Sequence, residues 1–328
     1  MSSIISFFYL RNKKYCFDIA VKFFDNGESF ILSRRSIVLE KAKKLRDMMK
    51  RPGLIRLIGA HNGIGAKLIE KAGFDGVWAS GLEISASYGI PDASLISMYQ
   101  FVEAARSMNE VVDIPLVADC DTGYGNAINV MYMVKRYEEA GIAAVVMEDK
   151  QFPKDNSLLA SGRQELLRVE EFEGKVEAAK AAQQSPDFMV IARVEALIAG
   201  WGQEEAQMRA HRYVDAGADA ILIHSKSKDP QEIIEFVTAW DRDVPLVLVP
   251  TTYSTLKESE IGELEKVKMV IYANHGLRAS MKAMETVFDK IKKDGGIYDL
   301  DELIDPVDHV FDVQGVPQMK KHERKFLR

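Results

Sequence analysis

Three carboxylates in the middle of the chain, Asp119, Asp121 and Glu148, carry the chemistry that is easiest to read from residue types. Each stands where a short apolar run turns polar: LVADCD ends on Asp119 and Asp121, and VVMED ends on Glu148 and Asp149. Acids delivered by apolar, strand-like segments become buried, and a buried carboxylate has to be paired, neutralised or bound to a cation. Few bases accompany these three. They suit a hard divalent ion, which takes oxygen ligands and, in the case of magnesium, keeps several waters. A structural salt-bridge cluster with Arg193 is the alternative.

Magnesium beside the Arg193 guanidinium would fit a small anion bearing a carboxylate or phosphoryl group, because arginine matches both in bidentate geometry. Ser80 and Gly81, followed by Leu82, add backbone N–H donors where an enolate oxygen could be held. His224 reads equally as a donor to such oxygens or as an ordinary hydrogen-bonding residue at a strand end. After Glu148 the chain becomes a polar segment with Lys150, Lys154 and Asn156, a loop able to close over the acids. Cys120, between two inward-directed aspartates, is turned toward the outer layer by strand alternation and receives no catalytic role.

The elements that must position these residues alternate regularly. Buried parallel strands are expected at 55–60, 76–80, 115–120, 144–149, 189–194, 220–225, 246–251 and 269–274, each rich in Val, Ile, Leu and Ala. Amphipathic helices are expected at 37–49, ahead of the first strand, and at 66–72, 127–140, 170–184, 203–216, 230–240 and 277–293. KAGFDGVW, EAGIAAVV and DAGADAIL repeat one junction, a helix ending on Ala-Gly and then a strand, with glycine where a left-handed C-cap is wanted. Eight β/α units over roughly 230 residues predict an α/β fold of the (β/α)8 barrel type. An open doubly wound sheet would bring a glycine-rich fingerprint, and GYGNAIN lacks its spacing. In such a barrel the carboxyl ends of the strands form the site, and polar clusters at all eight ends are expected to converge there.

The 328 residues are read as one barrel domain over 36–328, with a C-terminal helical tail, preceded by an aromatic, β-prone extension over 1–35 of unknown role. That extension is expected as an added hairpin or as a segment that does not fold with the rest. Net charge is −6 with interspersed signs, which leaves no basic face for nucleic acid. Cys16 and Cys120 show no metal or disulfide spacing, so a reducing, cytoplasmic location is expected. MSSIISFFYL is short and lacks a preceding cationic region, against a signal peptide, and nothing approaches the ~20 apolar residues of a membrane span.

The segment EDKxxxxxNS, met by Glu148, Asp149, Lys150, Asn156 and Ser157, resembles the phosphoenolpyruvate mutase branch of the isocitrate lyase superfamily. WASGLEISASYGIPD, ADCDTGYGN, ARVEALIAGWG, ADAILIHSK, VPTTY and YANHGLRA are similar to that family too, over about residues 40–295. The loop lacks the KKCGH cysteine of isocitrate lyase, which argues against carbon–carbon cleavage. The resemblance implies Mg²⁺-dependent interconversion of phosphoenolpyruvate and 3-phosphonopyruvate. It implies Asp119 as direct metal ligand, with Asp121, Glu148 and Asp92 holding the metal's waters. Ser80, Gly81, Leu82 and Ser157 fall on the substrate, Arg193 and His224 on its phosphoryl group, and Lys154 and Asn156 on the closing loop. It also implies a homo-oligomer, a dimer or a homotetramer built from dimers that exchange the eighth barrel helix, about 277–293. Phosphonopyruvate hydrolase is the near neighbour and carries threonine where this chain has Asn156. A lyase on another 2-oxo or malate-like acid and a non-catalytic barrel are weaker expectations.

Overall fold

A computed structural model of the chain describes residues 6–10, 18–25 and 28–328, with side chains described from residue 40 onward. Strands β1 (Ser6–Leu10), β2 (Asp18–Asp25) and β3 (Glu28–Ser33) form a three-stranded antiparallel sheet in the order β1-β2-β3. Within the 1–35 extension, residues 1–5, 11–17 (Cys16 included) and 26–27 lie outside the described residues. Helix α1 (Arg34–Lys50) follows without a break.

Eight parallel strands then close into a barrel. They are β4 (Ile55–Ala60), β5 (Gly76–Ala79), β6 (Leu116–Asp119), β7 (Ala144–Glu148), β8 (Met189–Val194), β9 (Ala220–Ile223), β10 (Leu246–Leu248) and β11 (Val267–Tyr272). Sequence neighbours pair throughout, and β10 pairs with β11, which pairs with β4 to close the ring. The expected strands are all present, several ending one to three residues early because the chain leaves the ladder at the mouth, where polar residues begin. Helices α2 (Gly63–Lys71), α3 (Gly81–Ser87), α4 (Met98–Asn109), α5 (Ala127–Glu139), α6 (Val169–Ala182), α7 (Ala196–Ala199) and α8 (Gly202–Asp215) lie between the strands. So do α9 (Gln231–Ala239) and α10 (Glu258–Glu263), while α11 (His275–Asp294), α12 (Val307–Gln314) and α13 (Val316–Phe326) follow the last strand. The repeated Ala-Gly junctions are left-handed caps: φ is +82° at Gly73, +79° at Gly141 and +103° at Gly217.

Two hydrophobic layers result from strand alternation. Leu57, Trp78, Val117, Val146, Ile191, Leu222, Val247 and Ile271 fill the barrel interior, and Ala42, Leu45 and Met49 of α1 join them as a plug. Their alternates, such as Ala118, Val145, Val190 and Ile221, pack outward on the helices. Cys120 belongs to the outer layer and is fully buried, as alternation requires. Arg46 fixes the plug at the base, donating to Asp219 at 2.9 Å and to the Phe188 carbonyl at 2.9 Å. Among the described residues no helix is long and apolar enough to cross a membrane.

Candidate active site

At the mouth, one cavity is lined by Ser80, Leu82, Asp92, Asp119, Lys154, Asn156, Ser157, Arg193 and His224, nine of the residues singled out from sequence. Gly81, Asp121 and Glu148 adjoin it: Gly81 N–H donates to Asp119 Oδ2 at 3.3 Å, Asp121 Oδ1 lies 2.7 Å from Lys154 Nζ, and Glu148 Oε2 lies 3.4 Å from Arg193. Trp78, Leu158, Val249 and Ala273 also line it and carry no chemical signal of their own.

The loop after β6 aims the aspartates. Positive φ at Asp121 (+48°), Gly123 (+86°), Tyr124 (+57°) and Gly125 (+144°) turns the chain sharply until Asn126 caps α5 by accepting from Ile128 and Asn129 N–H. GYGN is therefore a turn and a cap. Gly81 permits a close approach: a Cβ there would sit 3.0 Å from Asp119 Oδ2 and 3.2 Å from Asp121 Oδ1, so both carboxylates would have to shift slightly to admit one. Ser94, which sequence gave no reason to select, donates its hydroxyl to Asp121 Oδ2 at 3.1 Å.

The signature EDK separates into three directions. Glu148 faces the cavity side; Asp149 faces out, accepting from Tyr213 (2.7 Å), Arg209 (3.0 Å) and the Glu195 N–H (2.9 Å); Lys150 turns into the loop, donating to Asp155 O (2.9 Å) and Ser157 Oγ (2.6 Å). A stem formed by the Lys150 and Leu166 bridge closes that loop into a lid. From its tip Lys154, Asn156 and Ser157 reach the barrel.

Charge in the site is unbalanced toward acid. Glu148 Oε1 and Oε2, Asp121 Oδ1 and Asp92 Oδ1 are buried without a hydrogen-bond partner. Lys154 Nζ stands among them at ion-pair distance, 2.7 Å from Asp121, 3.3 Å from Asp92 and 3.8 Å from Glu148. Burial, with Asp92, Asp119 and Glu148 nearby, pushes Asp121 up to about 7 although Lys154 opposes the rise. Burial raises Asp119 as well. Asp92 is instead held below its ordinary value, since Lys154 and the Asn156 amide outweigh the effect of burial. Burial also opposes the charge of Lys154, but the surrounding carboxylates hold it well above its usual value.

On the far wall, Arg193 Nε donates to Glu195 Oε1 at 2.5 Å and Nη2 lies 2.9 Å from His224 Nδ1. A guanidinium has no lone pair to offer, so Nδ1 accepts and the ring proton resides on Nε2. Burial, then Arg193, lowers the His224 pKa, consistent with a neutral ring.

Two expectations change. Ser80 N–H donates to Ala60 O at 3.2 Å within the sheet, so it is no free donor for an enolate oxygen; what Ser80 presents is its hydroxyl, which accepts from Glu83 N–H. Nor do all eight strand ends converge. His61 pairs with Glu83 at 2.9 Å, Asn62 caps α2, and Ser225 bonds Glu232, because those side chains meet helices before they reach the cavity.

Among the described residues no three His, Cys, Asp or Glu converge closely enough to cage a metal ion. A hard cation held by one or two carboxylates and otherwise by water needs no such cage. These buried carboxylate oxygens, which share two cations and lack hydrogen bonds, fit that kind of ion, and they supply no donor set for a softer one.

Comparison with known proteins agrees with this geometry. The family described as phosphoenolpyruvate phosphomutase matches residues 45–292. Phosphonopyruvate hydrolase of Variovorax sp. (strain Pal2) is 52% identical over 290 residues, 88% of this chain and 100% of that protein. A crystal structure of phosphoenolpyruvate phosphomutase from Streptomyces platensis subsp. rosaceus superposes with a TM-score of 0.86 at 54% identity, covering 88% of this chain and 99% of the other. A phosphonopyruvate hydrolase complex with oxalate and Mg²⁺ does so with a TM-score of 0.83 at 51% identity, covering 88% and 99%. The chain thus belongs to the phosphoenolpyruvate phosphomutase family of the isocitrate lyase superfamily.

Proposed function

We propose that this chain is a magnesium-dependent phosphoenolpyruvate mutase that interconverts phosphoenolpyruvate and 3-phosphonopyruvate in the cytoplasm. The observation that carries the reading is Asn156. Its Nδ2 donates to Asp92 Oδ2 at 2.7 Å while its Oδ1 accepts from Leu158 N–H at 2.9 Å, so one amide ties the lid tip to the barrel and to the lid itself. A threonine hydroxyl sits one bond nearer the backbone and offers a single oxygen, which cannot span both partners. Asparagine therefore seals the lid better, and sealing decides the product.

In the forward direction the phosphoryl group leaves the enol oxygen, the enolate electron pair forms the new C3–P bond, and C2 becomes a carbonyl. A loose, metaphosphate-like phosphoryl group demands positioning and charge dispersal rather than new bonds to protein. Asp119 would ligate Mg²⁺, with Asp121, Glu148 and Asp92 on its waters; bound there, the ion would supply positive charge to the pyruvyl oxygens. The Ser80 hydroxyl and Gly81 border those oxygens, and Leu82 packs beside them. Arg193 and the His224 Nε2–H hold phosphoryl oxygens as the group moves. Lys154 and Asn156 close the pocket, and water exclusion keeps the group from hydrolysis.

The second reading is phosphonopyruvate hydrolase, favoured by the 52% identity to the Variovorax protein. Phosphorus NMR of wild-type enzyme with phosphonopyruvate and Mg²⁺ separates the two: a phosphoenolpyruvate signal is expected, and phosphate with pyruvate alone would reject the mutase. Oligomerisation through α11 belongs to the same reading. That helix has no buried residue along its length, and Met281, Met284 and Phe288 are exposed on it, as suits a helix lent to a partner subunit.

A further inference from the structure

Lys150 and Glu195 are charged, at most 1% exposed, and absent from the roles just assigned. A buried ion pair is a poor device for stability, since desolvation consumes most of the attraction. These two meet at 3.2 Å, and the hydroxyl of Ser157 lies between them. Ser157 Oγ accepts from Lys150 Nζ at 2.6 Å and from Arg193 Nη2 at 2.8 Å, and donates to Glu195 Oε2 at 2.5 Å. A hydroxyl has one hydrogen and two lone pairs. All three are used within the protein, which leaves Ser157 nothing to offer a substrate.

Glu195 carries the connection onward. Its Oε1 accepts from Arg193 Nε at 2.5 Å, and Arg193 Nη2 in turn donates to His224 Nδ1 at 2.9 Å. Burial works against its ionisation, yet Arg193 and Lys150 keep it well below the usual carboxylate range. Lys150 meanwhile holds the Asp155 carbonyl, inside the lid. A continuous set of charge-assisted bonds therefore runs from the lid's stem and tip to the two side chains that face the phosphoryl group.

We infer that Lys150, Ser157 and Glu195 form a latch: when the lid closes, Ser157 docks between Lys150 and Glu195 and sets the guanidinium of Arg193 and the ring of His224. Ser157 is a positioning residue, and so are Lys150 and Glu195. The inference rests on the reading above, in which Arg193 and His224 hold the phosphoryl group. It couples exclusion of water to correct placement, because the grip is completed only by the closed lid.

Ser157→Ala tests it. The Arg193–Glu195 and Lys150–Glu195 pairs persist without the hydroxyl, so the variant folds. Hydrogen bonds to charged groups are strong enough that trypsin cleavage after Arg163, at the exposed side of the lid, should accelerate about tenfold or more in ligand-free enzyme. With phosphonopyruvate and Mg²⁺, kcat should fall by about tenfold to a hundredfold, KM should change little, and the phosphate fraction by phosphorus NMR should rise. Lys150→Met should move all three readouts in the same direction. A raised KM with unchanged lid cleavage would make Ser157 a substrate contact and overturn the latch. Unchanged cleavage and kcat in both variants would overturn it too. If wild-type enzyme shows neither product, the mutase reading fails, while the cleavage rates still decide whether the latch exists.

Discussion

The base of the barrel and its mouth both hold acidic groups, half-buried at the base and buried at the mouth, and they treat them differently. At the base, Asp219 accepts from Arg46 at 2.9 Å, from Lys180 at 2.8 Å and from the Val190 N–H at 2.8 Å, so its charge is matched on every side. At the mouth, Asp92, Asp119, Asp121 and Glu148 share Lys154 and Arg193, and several of their oxygens have no hydrogen bond. Folding alone would favour the first arrangement everywhere, since an unpaired buried carboxylate is costly. On the proposed reading, the base is structure and the mouth a site whose further partners come from outside the chain.

The largest effect that would test the contrast is at Asp119. Asp119→Ala should lower turnover by about a thousandfold or more, while stability without Mg²⁺ stays level or rises by about 1 kcal/mol as repulsion among the acids is relieved. Retained turnover with normal Mg²⁺ dependence, followed by phosphorus NMR, would break the assignment. Asp219→Ala should do the reverse. Removing the common partner of two cations should reduce unfolding free energy by about 3 kcal/mol in urea titration, with kcat of the folded enzyme within about twofold of wild type.

A smaller effect is expected from pH. Asp121 is raised from 3.8 to about 7 in the metal-free fold. An acid whose folded pKa lies above its unfolded value binds an extra proton between the two, so this group stabilises the fold less as pH climbs through that window. A divalent cation must displace the same proton. Mg²⁺ affinity should therefore rise with pH, by up to roughly tenfold per unit, and level off above about 7. Calorimetric titration showing flat affinity from pH 5 to 8 would contradict the crowding of carboxylates described here.

Smallest is the effect of Asn156→Thr. Loss of the span from Asp92 to Leu158 should lower mutase turnover severalfold and raise the phosphate fraction. An unchanged product ratio by phosphorus NMR would move the discrimination away from this amide.

Much of the barrel was legible because it is written in local pattern. Apolar runs of strand length, amphipathic helices between them and three Ala-Gly caps repeat with one period, and each reports on its own neighbourhood. The candidate site was legible at Asp119, Asp121, Glu148, Arg193 and His224 for the same reason, because they sit where apolar strands end. The polar run after Glu148 showed Lys154 and Asn156 as a loop able to close, whereas Asp92 and Ser157 carry no such mark, and only resemblance to a family brought them forward.

Sequence by itself determined the closed set of eight strands, the acids at their ends and the membership that the signature announces, since these depend on residue type and spacing along the chain. Tertiary structure alone decided which polar groups remain free. Ser80 N–H bonds a neighbouring strand, His61 pairs with Glu83, and Ser157 is bonded on all sides by Lys150, Arg193 and Glu195. Whether a donor is free depends on partners far away in the chain, 38 residues for Ser157 and Glu195 and 64 for Asn156 and Asp92, and no local pattern encodes such distances.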